Sequence, residues 1–231
     1  MQIKTTAVLA SLFATLLATL LTTGSLAHGA IVGFTENFAT GSANWRDAGG
    51  LNALAWSATG GPSESSFASS TFNLSSTTSG GFPPTVIRAH ASYPSSGGAY
   101  VGNWLAEGVT GVVFQFRHNL PEAVVVTGRF ASPQNFPGAS VVSQAAVQSG
   151  VWTTVSFNLT EGSGDIISLG GSTYAAIFSN IGNMQFGFSV TPGLAGQNIN
   201  GTFDIAGFQI VPAPGAIALL GLAGLALRRR R

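Results

Sequence analysis

The side chains able to do chemistry are few and widely separated. Trp45, Arg46 and Asp47 stand in consecutive positions, and Trp104 follows Asn103. A tryptophan face stacks on the CH face of a sugar ring, while adjacent polar groups fix the hydroxyls. These four residues are therefore the candidate ligand platform, with Tyr93 and Tyr100 behind them. Three histidines, His28, His90 and His118, are isolated from one another along the chain. Nucleophile templates are missing: the sequence has no Gly-x-Ser-x-Gly turn, no His-Glu-x-x-His, no Walker loop and no Cys, and its lone lysine is Lys4. A glycosidase needs two carboxyl groups across the bond it cuts. The eight acids here are spread among Gly-rich loops, so the expectation is a protein that is not an enzyme.

Composition narrows the class further. Charged residues make up 7% of the 231 positions, far below the roughly 25% of ordinary soluble proteins. Hydrophobic residues at 45% exclude a disordered tail. No basic stripe exists to follow a phosphate backbone, so nucleic acid is not an expected partner. The formal charge of +1 is set by the ends, because Lys4 and Arg228 to Arg231 supply five of the nine basic residues. The remaining four Arg against eight acids give 4 − 8 = −4 for the middle of the chain.

The elements that must position these residues read as strands. Val112, Phe114 and Phe116 alternate with Val113, Gln115 and Arg117, and Val151, Val155, Phe157 and Leu159 alternate around polar residues. Met184, Phe186, Phe188 and Val190 do the same. This is the period-2 pattern of half-buried strands. Further strands are expected at 31–36, 51–57, 69–75, 84–90, 98–103, 123–131, 139–147 and 202–210. Gly and Pro clusters punctuate them, and a change of face predicts a bulge near Ala206-Gly207. A helical turn is expected only within 173–181. About ten short strands so spaced predict an all-β fold, a two-sheet β-sandwich of jelly-roll type.

The two ends read as addresses. Lys4, the apolar run Ala7 to Leu21 and the small residues of Ser25-Leu26-Ala27 have the form of a secretory signal peptide cut after Ala27. At the other end, Val211-Pro212-Ala213-Pro214-Gly215 leads into an apolar run from Ala216 to Leu227 and then Arg228, Arg229, Arg230 and Arg231. As a helix, that run is only about 18 Å long, short of the ~30 Å hydrocarbon core. The four Arg resist translocation. The predicted organisation is a signal peptide over 1–27, a sandwich over 28–211 and a sorting tail over 212–231.

The tail resembles the PEP-CTERM sorting signal of bacterial exported proteins, with Pro212-Ala213-Pro214 where that family usually has Pro-Glu-Pro. The resemblance implies processing by the membrane protease-transpeptidase exosortase, passage through the secretion machinery, and transient anchoring in the membrane. Asn44-Trp45-Arg46-Asp47 and the stretch from Arg129 to Gly138 look like bodies that recur among such substrates. The body also loosely resembles carbohydrate-binding jelly rolls, through Phe34-x-Glu36-Asn37-Phe38, the Trp152 strand running into Phe157, and Phe203-Asp204-Ile205. That second likeness implies a structural Ca2+ tying the first strand to the last, with Glu36 and Asp204 as its carboxylates; no other cofactor is expected. The expected function is an exported cell-surface or extracellular-matrix protein with a non-catalytic body. The alternative is a glycan-binding module on the same fold, with exopolysaccharide as the partner, and a carbohydrate-active enzyme ranks behind both.

Overall fold

Alternation of apolar and polar residues gives each strand one face to bury, and two sheets packed face to face bury them all. A computed structural model describes residues 32–214. The expected signal segment 1–27, His28, Gly215 and Arg228–Arg231 lie outside the described residues. In chain order the strands are β1 (Thr35–Glu36), β2 (Ala55–Ser57), β3 (Phe67–Asn73), β4 (Thr85–His90), β5 (Val109–His118), β6 (Val124–Ala131), β7 (Gly138–Val147), β8 (Thr153–Asn158), β9 (Ile166–Leu169), β10 (Asn183–Phe188) and β11 (Asn200–Pro212). A short helix, α1 (Tyr174–Phe178), falls inside the expected helical turn. Thr173 caps it by accepting the Ala176 N–H.

The first sheet has the order β2-β3-β11-β5-β8, with β1 also on β11, and the second has the order β4-β10-β6-β7-β9. All pairings are antiparallel. The fold is an all-β, two-sheet sandwich of jelly-roll type. Its centre is aromatic. Phe114 meets Phe186 at 4.8 Å between centroids, Phe157 at 5.7 Å and Phe208 at 6.4 Å. Such pairs add about 0.5–1.5 kcal/mol each beyond the burial of their surface.

The expected bulge is present: the register between β11 and β5 shifts between Ala206 and Gln209, and Gly207 takes a φ of 57° there. The strand expected at 98–103 is absent. Ser95–Gly98 forms a 3-10 turn in which Gly97 and Gly98 have φ of 63° and 81°, and a single bridge joins Gly102 to Ile181. Tyr100 and Trp104 are buried from this turn rather than from a strand. Strand β9 was not expected, because its four residues follow Gly162-Ser163-Gly164 too briefly to show a period.

Candidate ligand-binding groove

Register lines up side chains in rows across the outer face of the second sheet. Arg88 on β4 pairs with Gln185 on β10, Gln185 with Arg129 on β6, Arg129 with Ser140 on β7, and Ser140 with Ile167 on β9. The neighbouring row runs Thr85, Gly187, Thr127 and Val142. A groove of about 700 Å³ lies over these rows, lined by Thr85, Thr127, Arg129, Ser140, Gln185 and Gly187 on its floor.

Aromatic and apolar residues wall it. Phe82, in the loop before β4, is 93% exposed, and Phe136, in the loop between β6 and β7, is 52% exposed. Both line the groove, as do Val142 and Ile167. Two glycines are required here. A Cβ on Gly187 would stand 1.9 Å from the Pro84 carbonyl oxygen, so only glycine lets the Pro83-Pro84 segment cross β10. Gly170, at a φ of 64°, leaves the space that the Phe136 ring occupies.

The floor is held by one amide. Asn135 sits at a φ of 70°, and its Oδ1 accepts from Arg129 Nη1 at 2.8 Å, Asn183 Nδ2 at 2.9 Å and Gln185 Nε2 at 2.9 Å. Gln185 Oε1 in turn accepts from the Thr85 hydroxyl at 3.0 Å. Arg129 gives Nη2 to the Asn135 carbonyl, and its Nε is buried without a hydrogen-bond partner. Burial, and then the charge of the nearby Arg88, hold the Arg129 guanidinium below its ordinary range. The groove lining contains no Asp, Glu or His.

The platform expected from sequence is corrected by burial. Trp45 is fully buried, stacked on Phe186 at 6.0 Å and set edge-on against Phe38 and Phe208. Its indole N–H donates to Ser96 Oγ at 2.7 Å. Trp104 is buried as well, its indole N–H donating to the Tyr100 carbonyl. Neither can stack on a ligand, because the apolar rings do more in the core than at the surface. Arg46 and Asp47 lie near the surface but serve their own loop. Arg46 covers the Tyr93 ring at 4.1 Å and donates to the Gly50 carbonyl. The Asp47 carboxylate accepts from the Leu51 N–H and from Asn52 Nδ2.

Glu36 and Asp204 are not brought together. Glu36 pairs with Phe208, four residues along β11 from Asp204, and its carboxylate accepts from the Phe38 N–H. Asp204 accepts from Arg117 Nε at 2.8 Å and from the Ser69 hydroxyl, so both of its oxygens are used. Among the described residues no three His, Cys, Asp or Glu side chains cluster to hold a metal. At the tail, Pro212 ends β11 opposite Val109, the Ala213 N–H donates to the Gly108 carbonyl, and Pro214 is exposed.

The groove residues were not singled out from sequence as a site. Phe82 and Phe136 look like two of 16 phenylalanines, and only an exposed phenylalanine beside Gly and Pro in a loop marks them apart. Arg117 pairs with an acid, as strand arginines should. Arg88 and Arg129 do not: Arg117–Asp204 is the single ion pair among the described residues.

No family model matches the chain, and no curated protein matches it. Solved structures do. The CBM22-1–GH10 modules of Clostridium thermocellum endo-1,4-β-D-xylanase 10B, complexed with xylohexaose, align over 79% of this chain at 12% identity and a TM-score of 0.44. This chain covers 29% of the length of that one. A family 30 carbohydrate-binding module aligns over 79% of this chain and 84% of its own, at 11% identity and a TM-score of 0.39. The module CtCBM11 aligns over 83% of this chain and 99% of its own, at 12% identity and a TM-score of 0.36. At these scores the likenesses carry nothing about ligand or chemistry.

Proposed function

We propose that the chain is an exported, non-catalytic glycan-binding protein that reaches the cell surface through an exosortase-processed tail. The observation that carries the binding half is the groove itself. Exposed Phe82 and Phe136 stand over a floor of side chains that offer hydrogen bonds in rows whose members are about 4.8 Å apart. An extended polysaccharide presents the same alternation of CH faces and hydroxyls. A lining without carboxylates cannot supply the acid and base of glycoside hydrolysis, which favours binding without turnover. Export and sorting rest on the order of the terminal segments, from the Ser25-Leu26-Ala27 cleavage site to Arg231.

Two experiments test the halves separately. A glycan array probed with the purified protein should return saturable binding that Phe82→Ala removes; turnover of a bound polysaccharide would overturn the non-catalytic part. A mass spectrum of the mature protein from its native host should show a C-terminus between Pro212 and Gly215. An intact Arg231 on a membrane-bound product would mean a plain anchor instead.

A further inference from the structure

We propose that the groove takes an anionic glycan, a polyuronate whose carboxylates lie along the row of Arg88, Gln185 and Arg129. This rests on the glycan reading above and names its substrate class. The middle of the chain carries twice as many acids as arginines, yet charge is not evenly distributed. Arg46, Arg88 and Arg129 gather at the β4 side of the second sheet, and none has a carboxylate within ion-pair distance among the described residues. Asp47, next to Arg46 in the chain, spends its oxygens on Leu51 and Asn52.

Arg88 and Arg129 flank Gln185 in one row, two strand spacings or about 10 Å apart. Each guanidinium has five donors in a planar fork that matches a carboxylate. Arg88 gives Nε to the Ala48 carbonyl, and Arg129 gives Nη1 and Nη2 to Asn135, which leaves donors on both. The Arg129 Nε is buried with no acceptor, so a ligand in the groove would meet the remaining Nη hydrogens. Arg129 lines the acid-free groove and Arg88 stands in the same row just beyond its lining; together they form a local positive field on a negative domain, and such a field draws anions to one face. The exposed Phe82 and Phe136 rings supply the stacking that distinguishes a sugar acid from a bare anion.

The test is an affinity measurement on the purified protein with polygalacturonate and alginate as carboxylated glycans, dextran sulfate as a sulfated one, and xylan and dextran as neutral ones. The expected result is binding of a polyuronate that weakens as salt rises. Arg129→Gln and Arg88→Gln should each lower affinity roughly tenfold or more, the effect of one charge-assisted hydrogen bond. Phe82→Ala should remove binding. Melting curves check that each variant folds; if Arg129→Gln does not, Arg88→Gln, whose side chain makes a single backbone bond, decides. Salt-independent binding of a neutral glycan would overturn the anionic assignment and leave the glycan reading standing. Dextran sulfate bound as tightly as polyuronate would overturn the carboxylate assignment. Binding of no glycan at all would overturn both.

Discussion

The outer faces of the two sheets treat the same side chain in opposite ways. On the first sheet, Arg117 is neutralised by Asp204, held by the Ser69 hydroxyl on the far side of that carboxylate, and covered by Trp152 at 4.5 Å and Phe67 at 5.2 Å. Trp152 and Arg117 both donate to the Gly60 carbonyl, so the loop before β3 closes the arrangement. On the second sheet, Arg129 meets an amide instead of an acid, keeps one N–H unpaired, and looks onto an open groove beside exposed phenylalanines. The placement of one acid separates a face whose arginine is neutralised from a face whose arginine has no carboxylate partner.

The largest effect should come from the core that both faces share. Trp45→Ala should lower stability by about 3–5 kcal/mol in denaturant unfolding, the cost of a large cavity. A loss of ligand binding at unchanged stability would instead return Trp45 to the surface role expected from sequence. Next comes the closed face. Asp204→Ala should cost about 1–3 kcal/mol by leaving the Arg117 guanidinium without its partner. Because both Asp204 oxygens are already used, chelator should leave the melting temperature of the parent and the variant where it was. A chelator-sensitive melting temperature would revive the calcium expectation.

The open face should behave in reverse. Phe82→Ala should change stability by no more than about 0.5 kcal/mol, as for surface substitutions in general, while removing glycan binding. A smaller effect concerns pH. His118 donates Nε2–H to the Val147 carbonyl and accepts the Leu120 N–H on Nδ1; His90 does the same with Pro133 and Ser92. Burial is the first cause that lowers both from the ordinary value of 6.5. The unfolded chain therefore binds more protons near and below that value, and stability should fall as pH drops from about 7 through 6.5 toward the lowered values. Stability that rises on acidification through this window would contradict the neutral assignment of the two rings.

The architecture was legible because its signals are local. The alternations at Phe114, Phe157 and Phe186 each fix a strand, and Gly207 marks its bulge within a few residues. The groove was not legible, because it depends on which strands become neighbours. Arg88, Arg129 and Gln185 are far apart in sequence and meet through the β4-β10-β6 order. Trp45 misled for a related reason: its flanking Arg and Asp look like a surface site, while its ring turns inward onto Phe186. The Glu36–Asp204 pairing failed on register, since β1 lands opposite Phe208 rather than opposite Asp204.

The contrast between the faces is tested most directly by mapping backbone amide shifts of the protein during titration with polygalacturonate. Binding on the second sheet should move the amides of Phe82, Arg129, Phe136, Gln185 and Gly187 and leave those of Phe67, Arg117 and Trp152 in place. Shifts concentrated on Phe67, Arg117 and Trp152 would contradict the account, because they would make the closed face the one that binds.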